Sequence, residues 1–305
     1  MLVTAARNEE AFIGRTLASV IAQTAPPVRW VIVDDGSTDM TAEVVARHKA
    51  AAAFITVLKL SRGGERGFAR KVQALKAGEE LLKGIAYDLI GFLDADVSFG
   101  SGYFERLCRE FADDSALGLT GGMLVDLYDG RFHPRVHYRA SVSGAVQLFR
   151  RSAYEGIGGY RPIETGGIDT VAEVMVRMHA WQTRTLPDLA VVHHRRDGSV
   201  DRGPIEARYR SGFRDSMLGH DPIFQLFKCL RRCTERPWLL SSVARLVGYL
   251  AGNLVLLTRR RAVPPEFVDH LRREQRQRLA IAINGLVGRR VATAFRSRWS
   301  QPPPA

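Results

Sequence analysis

The sequence predicts an α/β protein built on a doubly wound, mostly parallel sheet, followed by a basic helical extension. Three observations lead there. Through the first 200 residues, short apolar runs rich in Val, Ile, Leu and Phe alternate with amphipathic helical stretches, as buried parallel strands with crossover helices require. Acidic residues collect at the ends of those runs. The charge is divided as well: residues 1–200 hold 24 Lys plus Arg and 24 Asp plus Glu, while residues 201–305 hold 20 against 8, so the whole formal charge of +12 lies in the last third.

The elements follow in order. "LVTAA" (2–6) is the first strand; it starts almost at Met1, no basic-then-apolar export signal precedes it, and export is not expected. Residues 9–22 place Phe12, Ile13, Leu17, Val20 and Ile21 on one helical stripe. "WVIVDD" (30–35) is the second strand, and "GSTDMTAEVVARH" offers Ser37 or Thr38 as a cap for the next helix. "FITVLKL" (54–60) is the third strand, residues 68–83 carry Phe68, Val72, Leu75 and Leu82 as a third helix, and "LIGFLDAD" (89–96) is the fourth strand. At 305 residues and 46% hydrophobic, the chain can bury one large core or two modest ones, and it shows no internal repeat. Cys108, Cys229 and Cys233 are too few and too irregular for a disulfide framework, which points to a reducing compartment; Cys229 and Cys233 would share a helix face and serve packing.

In doubly wound sheets, ligands bind where the strands end at their carboxyl side. There "VIVDDGSTD" supplies Asp34 and Asp35, and "GFLDADV" supplies Asp94 and Asp96. In extended chain, residues i and i+2 face one side, so Asp94 and Asp96 would point into one cleft. Converging carboxylates repel unless a positive group lies between them, and a hard divalent cation shared with a phosphate fits that place. The bland alternative is that these aspartates are turn formers or helix caps.

Read together, "VTAARNEEAFIGRTLASVIAQT", "WVIVDDGSTDMTAEVV", "RGGERGFARKVQALKAG", "GFLDADV", "GAVQLFRRSAYEGIGGY" and "GGIDTVAEVMVRMHAWQTRTLPDLAVVHHR" resemble, in order and spacing, the family 2 glycosyltransferases of GT-A fold, over about residues 1–196. The resemblance implies an inverting, metal-dependent transfer from a nucleoside diphosphate sugar. A nucleotide-sugar half would cover about residues 1–97, an acceptor half about 98–200, and a basic helical extension 201–305. The loop at Ala5, Ala6 and Arg7 looks like the segment that wraps the base, and Asp35 matches the aspartate that reads the base edge. Asp94 resembles the ribose and metal-proximal aspartate and Asp96 the direct ligand of Mg²⁺ or Mn²⁺. His193 falls where relatives carry a histidine near the metal or diphosphate, and Arg70 and Lys71 are candidates for the diphosphate. Asp169 aligns with the general base. Gln147, Arg150 and Arg151 belong to the segment that would line the acceptor side, the two arginines as anion contacts or plain surface charge.

Two departures from the family pattern matter. Relatives carry Glu-Asp where this chain has Ile168-Asp169; Glu173, one turn on, could supply the missing carboxylate or could be a solvated helix residue. The Gln-x-x-Arg-Trp motif of processive synthases is replaced near residue 208 by "ARYRSGFRD", which points to one sugar per visit.

In the last third, "WLLSSVARLVGYLAGNLVLLT" (238–258) is interrupted by Arg245, leaving a 13-residue run without charge, too short to span a bilayer. With Lys228, Arg231, Arg232 and Arg259 to Arg261 around it, it reads as helices in the interface of an anionic membrane, with Phe224, Leu226, Phe227 and Trp238 entering lipid. The expectation is a peripheral enzyme at the cytoplasmic face with a lipid-linked or glycan acceptor; a soluble helical cap is the alternative. No nucleic-acid motif accompanies the charge. Two rival functions are a nucleotidyltransferase, which would want a Gly-rich phosphate loop where this chain has "AARNEEAF", and a non-catalytic nucleotide-sugar-binding protein, which the lost acid at Ile168 would suit.

Overall fold

The four apolar runs form strands in a computed structural model that describes residues 1–61, 67–128, 131–134, 140–195, 203–232 and 239–298. They are β1 (Leu2–Ala6), β2 (Trp30–Asp34), β3 (Ile55–Lys59) and β4 (Leu89–Leu93). All four run parallel in the order β3-β2-β1-β4, with Leu2 beside Trp30 and Trp30 beside Ile55. Helices cover both faces, because alternate residues of each strand point opposite ways. Leu2, Ala6, Trp30 and Ile32 share a cluster with Ile13, Leu17 and Val20 of α1 (Ile13–Ile21) and Val45 of α2 (Thr41–Lys49). Val3, Val31 and Val33 point the other way, onto Gly78 of α3 (Phe68–Glu80). Leu17 is fully buried, so Leu17→Ala would cost about 2–5 kcal/mol. The Trp30 indole N–H donates to Thr4 Oγ1 at 3.0 Å, which satisfies the polar atom of a buried aromatic.

Beyond β4 the sheet turns mixed. β5 (Val97–Phe99), β6 (Leu117–Tyr128), β8 (Val146–Arg150) and β9 (Gln182–His193) extend it in the order β4-β8-β6-β9-β5, and β7 (Arg131–Pro134) pairs with β6. β8 runs antiparallel to β4, β6 antiparallel to β8, and β9 parallel to β6. The helices here are α4 (Tyr103–Asp113), α5 (Arg151–Gly156) and α6 (Ile168–Met178).

The chain divides into two units, Met1–Arg202 and Gly203–Ala305. The second is helical: α7 (Pro204–Met217), α8 (Pro222–Arg231), α9 (Leu240–Val255) and α10 (Pro265–Arg298). α7 and α9 touch backbone to backbone, since a Cβ on Gly212 would stand 1.8 Å from the Arg245 carbonyl and one on Gly248 2.0 Å from that of Tyr209. Asp221 caps α8, accepting from the N–H groups of Ile223 (2.9 Å) and Phe224 (3.2 Å) ahead of Pro222. Arg245 turns inward: its guanidinium meets Asp215 at 3.1 Å, and Lys228 meets the same carboxylate at 3.0 Å. Among the described residues no helix is long and apolar enough to cross a membrane. Cys233 and Trp238 lie outside the described residues, as do 62–66 of the Gly-rich stretch.

Candidate active site

The site is assembled where β1, β2 and β4 end. After β2, Asp34 is the turn former: its Oδ1 accepts the Ser37 N–H at 2.9 Å, and Gly36 takes the left-handed conformation (φ 74°) that the turn needs. Asp35 is buried, with Arg70 Nη2 at 3.3 Å from Oδ1. Neither Ser37 nor Thr38 caps α2, which starts at Thr41. Their groups join the two loops instead. Asn8, in the left-handed region at φ 54°, accepts the Thr38 N–H on Oδ1 at 2.8 Å, and its own N–H donates to Ser37 Oγ at 3.1 Å. The Glu9 N–H donates to Thr41 Oγ1 at 2.7 Å, and the Met40 N–H to Glu10 Oε2 at 2.9 Å. The segment after Ala5 and Arg7 is thereby bolted to the one after Asp35.

β4 stops at Leu93, three residues before the fourth strand was expected to end, because its pairing with β8 runs out at Leu93–Val146. Asp94 and Asp96 therefore stand on a turn into β5, not on extended chain. Each carboxylate has a basic partner. Asp94 Oδ1 meets Lys71 Nζ at 2.5 Å. Burial alone would lower the Lys71 ammonium, but Asp94, with Asp169 and Asp96 behind it, outweighs that and holds it above its ordinary value. Asp96 Oδ2 lies 3.1 Å from Arg195 Nε and 3.5 Å from His193 Nε2. Burial alone would raise the Asp96 carboxyl; the hydrogen bond and charge of His193, with Arg195, override this and hold it low. Arg195 also pairs with Glu9 and covers the Phe12 ring at 5.0 Å.

His193 is oriented from behind. Asp126 stands beside it in the β6–β9 register, with Oδ1 3.0 Å from His193 Nδ1. With Asp126 holding a proton on Nδ1, loss of the Nε2 proton that faces Asp96 would free that nitrogen's lone pair beside Asp96, the carboxylate–histidine arrangement that metal ligands use. Among the described residues no three His, Cys, Asp or Glu converge on one point. Asp96 and His193 together are a two-ligand donor set of the kind that suits a cation completing its shell with phosphate and water. His194 turns to separate partners, Ser98 Oγ at 2.8 Å from Nε2 and Arg15 at 3.0 Å from Nδ1.

Asp169 lies in the first turn of α6, half-buried, and a Cβ on Gly144 would stand 2.6 Å from its Oδ2. Glu173 is neither solvated nor a second acid in the cleft. It is 4% exposed, accepts the Val142 N–H at 2.9 Å and meets Arg177 at 3.5 Å, so it anchors the 140–145 segment against which Asp169 rests. Ile168 is buried and packs.

Of the acceptor-side residues, Gln147 and Arg150 are engaged within the fold, and Arg151 takes the plain surface-charge alternative. Gln147 is fully buried, donating to Val142 O and accepting from the Tyr160 hydroxyl at 2.6 Å. Arg150 faces Leu89 across the antiparallel register, at the end of β4 remote from Asp94, and donates to the carbonyls of Phe111, Leu117 and Asp114. Arg151 is an exposed i,i+4 partner of Glu155 over the Tyr87 ring. Asp126, Arg195 and Gly144 were not singled out by sequence reasoning; only the basic doublet after "HH" hinted at Arg195.

Comparison with known proteins accords with this geometry. The family model Glycosyl transferase family 2 matches residues 1–163. A poly-beta-1,6-N-acetyl-D-glucosamine synthase of Staphylococcus aureus (strain COL) is 28% identical over 168 residues, 55% of this chain and 36% of its own length, so the chain matches about a third of such curated relatives. Among solved structures, S. aureus TarS 1-349 with UDP is similar at TM-score 0.52 and 15% identity, over 68% of this chain and 63% of that one. The mannosyltransferase PcManGT from Pyrobaculum calidifontis, in complex with GDP-Man and Mn²⁺, is similar at TM-score 0.52 and 17% identity, over 99% and 87%. These likenesses carry the GT-A fold. With more than half its length matched by the family model and its acidic strand ends gathered into one cleft, this chain belongs to the family 2 glycosyltransferases.

Proposed function

We propose that the chain moves one sugar from a nucleoside diphosphate sugar to a hydroxyl of a lipid-linked or glycan acceptor, with inversion, at an anionic membrane surface on the cytoplasmic side. The observation that carries this reading is the gathering of Asp94, Asp96 and His193, with Lys71 feeling Asp94, Asp96 and Asp169 at once and Arg70 beside it held by Asp35. Asp35 and the joined loops after β1 and β2 receive the base. Lys71 and Arg195 present positive charge to the diphosphate. Asp96 and His193 would hold Mg²⁺ or Mn²⁺, which when bound neutralises charge on the departing diphosphate. Asp169 accepts the proton of the acceptor hydroxyl as its oxygen bonds to the anomeric carbon and the carbon–diphosphate bond breaks on the opposite side. Support for nucleotide-sugar use comes from the TarS and PcManGT complexes, and for a glycan product from the synthase relatives. The lack of a Gln-x-x-Arg-Trp motif favours single transfer.

The test is Mn²⁺ binding followed by electron paramagnetic resonance, alongside transfer measured over a panel of sugar nucleotides. Asp96→Ala should lose both with an unchanged circular dichroism spectrum, and chelator should stop transfer by the wild type. Full activity in excess chelator refutes the metal assignment; turnover of no sugar nucleotide refutes the reaction.

A further inference from the structure

α9 is built inside out. Its one charge, Arg245, and its Ser241 and Tyr249 are buried, whereas Leu240, Val243, Val247, Leu250 and Leu254 face outward, Leu254 at 67% exposure. Every exposed residue of α9 is apolar. α8 continues the pattern with Ile223 at 65% and Leu230 at 63% exposure. A water-facing helix surface of a soluble protein carries polar residues, and a contiguous apolar face of this kind marks a surface that something covers. We propose that the outward faces of α8 and α9 are the docking surface by which this unit enters the headgroup region of an anionic lipid leaflet. The proposal rests on the membrane reading above and assigns its residues. Leu226 belongs to this face; Phe224 and Phe227 are half-buried and contribute less.

Charge selects the occupant. The outward spacing of three and four residues would also suit a seam with a second copy. Yet residues 222–232 and 239–265 contain no acidic side chain, while Arg231, at the end of α8, and Arg259 and Arg260, just past the end of α9, are exposed. A second copy seated on these faces, parallel or antiparallel, would offer Arg231 and Arg259 to Arg261 no carboxylate from either segment. Phosphate headgroups supply the missing anions, each nearby arginine raising partition about fivefold at low salt, and the leucines add a part that salt does not screen.

Flotation of the full chain with phosphatidylcholine vesicles, with and without phosphatidylglycerol, at low and high salt tests this. The wild type should float with the anionic vesicles and keep part of that binding at high salt. Leu250→Gln/Leu254→Gln should lose the salt-resistant part, and Arg259→Gln/Arg260→Gln should lower low-salt partition about 25-fold, both with wild-type helix content. Failure of the wild type to float, salt-resistant flotation of the leucine variant at the wild-type level, or a solution dimer abolished by those substitutions without flotation of the wild type would overturn the proposal. Donor hydrolysis by the wild type without vesicles reports on the catalytic reading alone, so retained hydrolysis without flotation refutes the docking face and leaves the chemistry standing.

Discussion

Gly144→Ala should separate catalysis from donor binding. Gly144 does not have a positive φ, so alanine meets no backbone strain there; its effect is the methyl group itself. That methyl would stand 2.8 Å from Asp169 Cβ and 2.9 Å from Cγ, against the 3.4 Å at which ordinary contact begins, a deficit of about 0.6 Å. A rotamer change cannot relieve a clash with Cβ, so the start of α6 or the 140–145 segment must shift. The segment is pinned: Val142 N–H to Glu173, Ala140 O to Arg177 at 3.0 Å, and Ser141 O to the Thr185 hydroxyl at 2.6 Å. The displacement therefore falls largely on Asp169. Misplacing a reacting group by up to about 1 Å lowers turnover roughly 10²-fold, while overpacking costs about 1–3 kcal/mol of stability. Steady-state transfer kinetics, nucleotide binding by calorimetry and thermal melts read the three quantities. We expect kcat to fall, nucleotide affinity to hold, and Tm to drop by several degrees. A Gly144→Ala protein with wild-type kcat would refute the assignment of Asp169 as the proton acceptor at this contact.

Other consequences can be measured independently. Asp169→Asn keeps the shape and removes proton acceptance, so kcat should fall roughly 10²- to 10⁴-fold with nucleotide affinity retained; a rate near wild type would move the base elsewhere. Asp126→Ala releases the His193 ring and should weaken Mn²⁺ binding about 10- to 100-fold, read by titration without donor; unchanged affinity would remove His193 from the ligand set. His220 is drawn down to about 4 from 6.5, burial being the main cause, with Asp215 opposing it. Its folded form is neutral, so its contribution is full above pH 6.5 and is lost as pH falls through 4, up to about 3 kcal/mol. Urea midpoints from pH 7 to 4 should fall less steeply in His220→Gln, and identical slopes would contradict the linkage.

What sequence could reveal was governed by locality. The four parallel strands and the acidic residues at their ends were legible because a buried strand and its exit are written in consecutive residues. Arg150 misled because β8 runs antiparallel to β4, a choice made by pairing between distant residues that carries it to the far end of β4, whereas Gln147 lies at the near end, opposite Phe92, but is fully buried with its amide spent on Val142 and Tyr160. Asp126 was invisible for a related reason, since only the long-range register of β6 against β9 sets it beside His193. The division between Asp34 as turn former and Asp35 as the buried partner of Arg70 follows the local turn, whereas Lys71 meeting Asp94 depends on how α3 packs. Arg245 looked like a break in an apolar segment because the sequence does not reveal that glycines at 212 and 248 let two helices close around its ion pair.

The loops after β1 and β2, cross-linked through Asn8, Glu9, Glu10, Ser37, Thr38 and Thr41, behave as one mechanical piece. Neither can swing aside alone without breaking several bonds to the other. This rim is thus shaped when the chain folds, and under the proposed function the ordering entropy of those residues would already be lost by the time a nucleotide arrived. If a base docks there as proposed, discrimination would work by exclusion from a fixed outline rather than by remodelling around the guest, and any closure after capture would have to come from other parts of the unit Met1–Arg202.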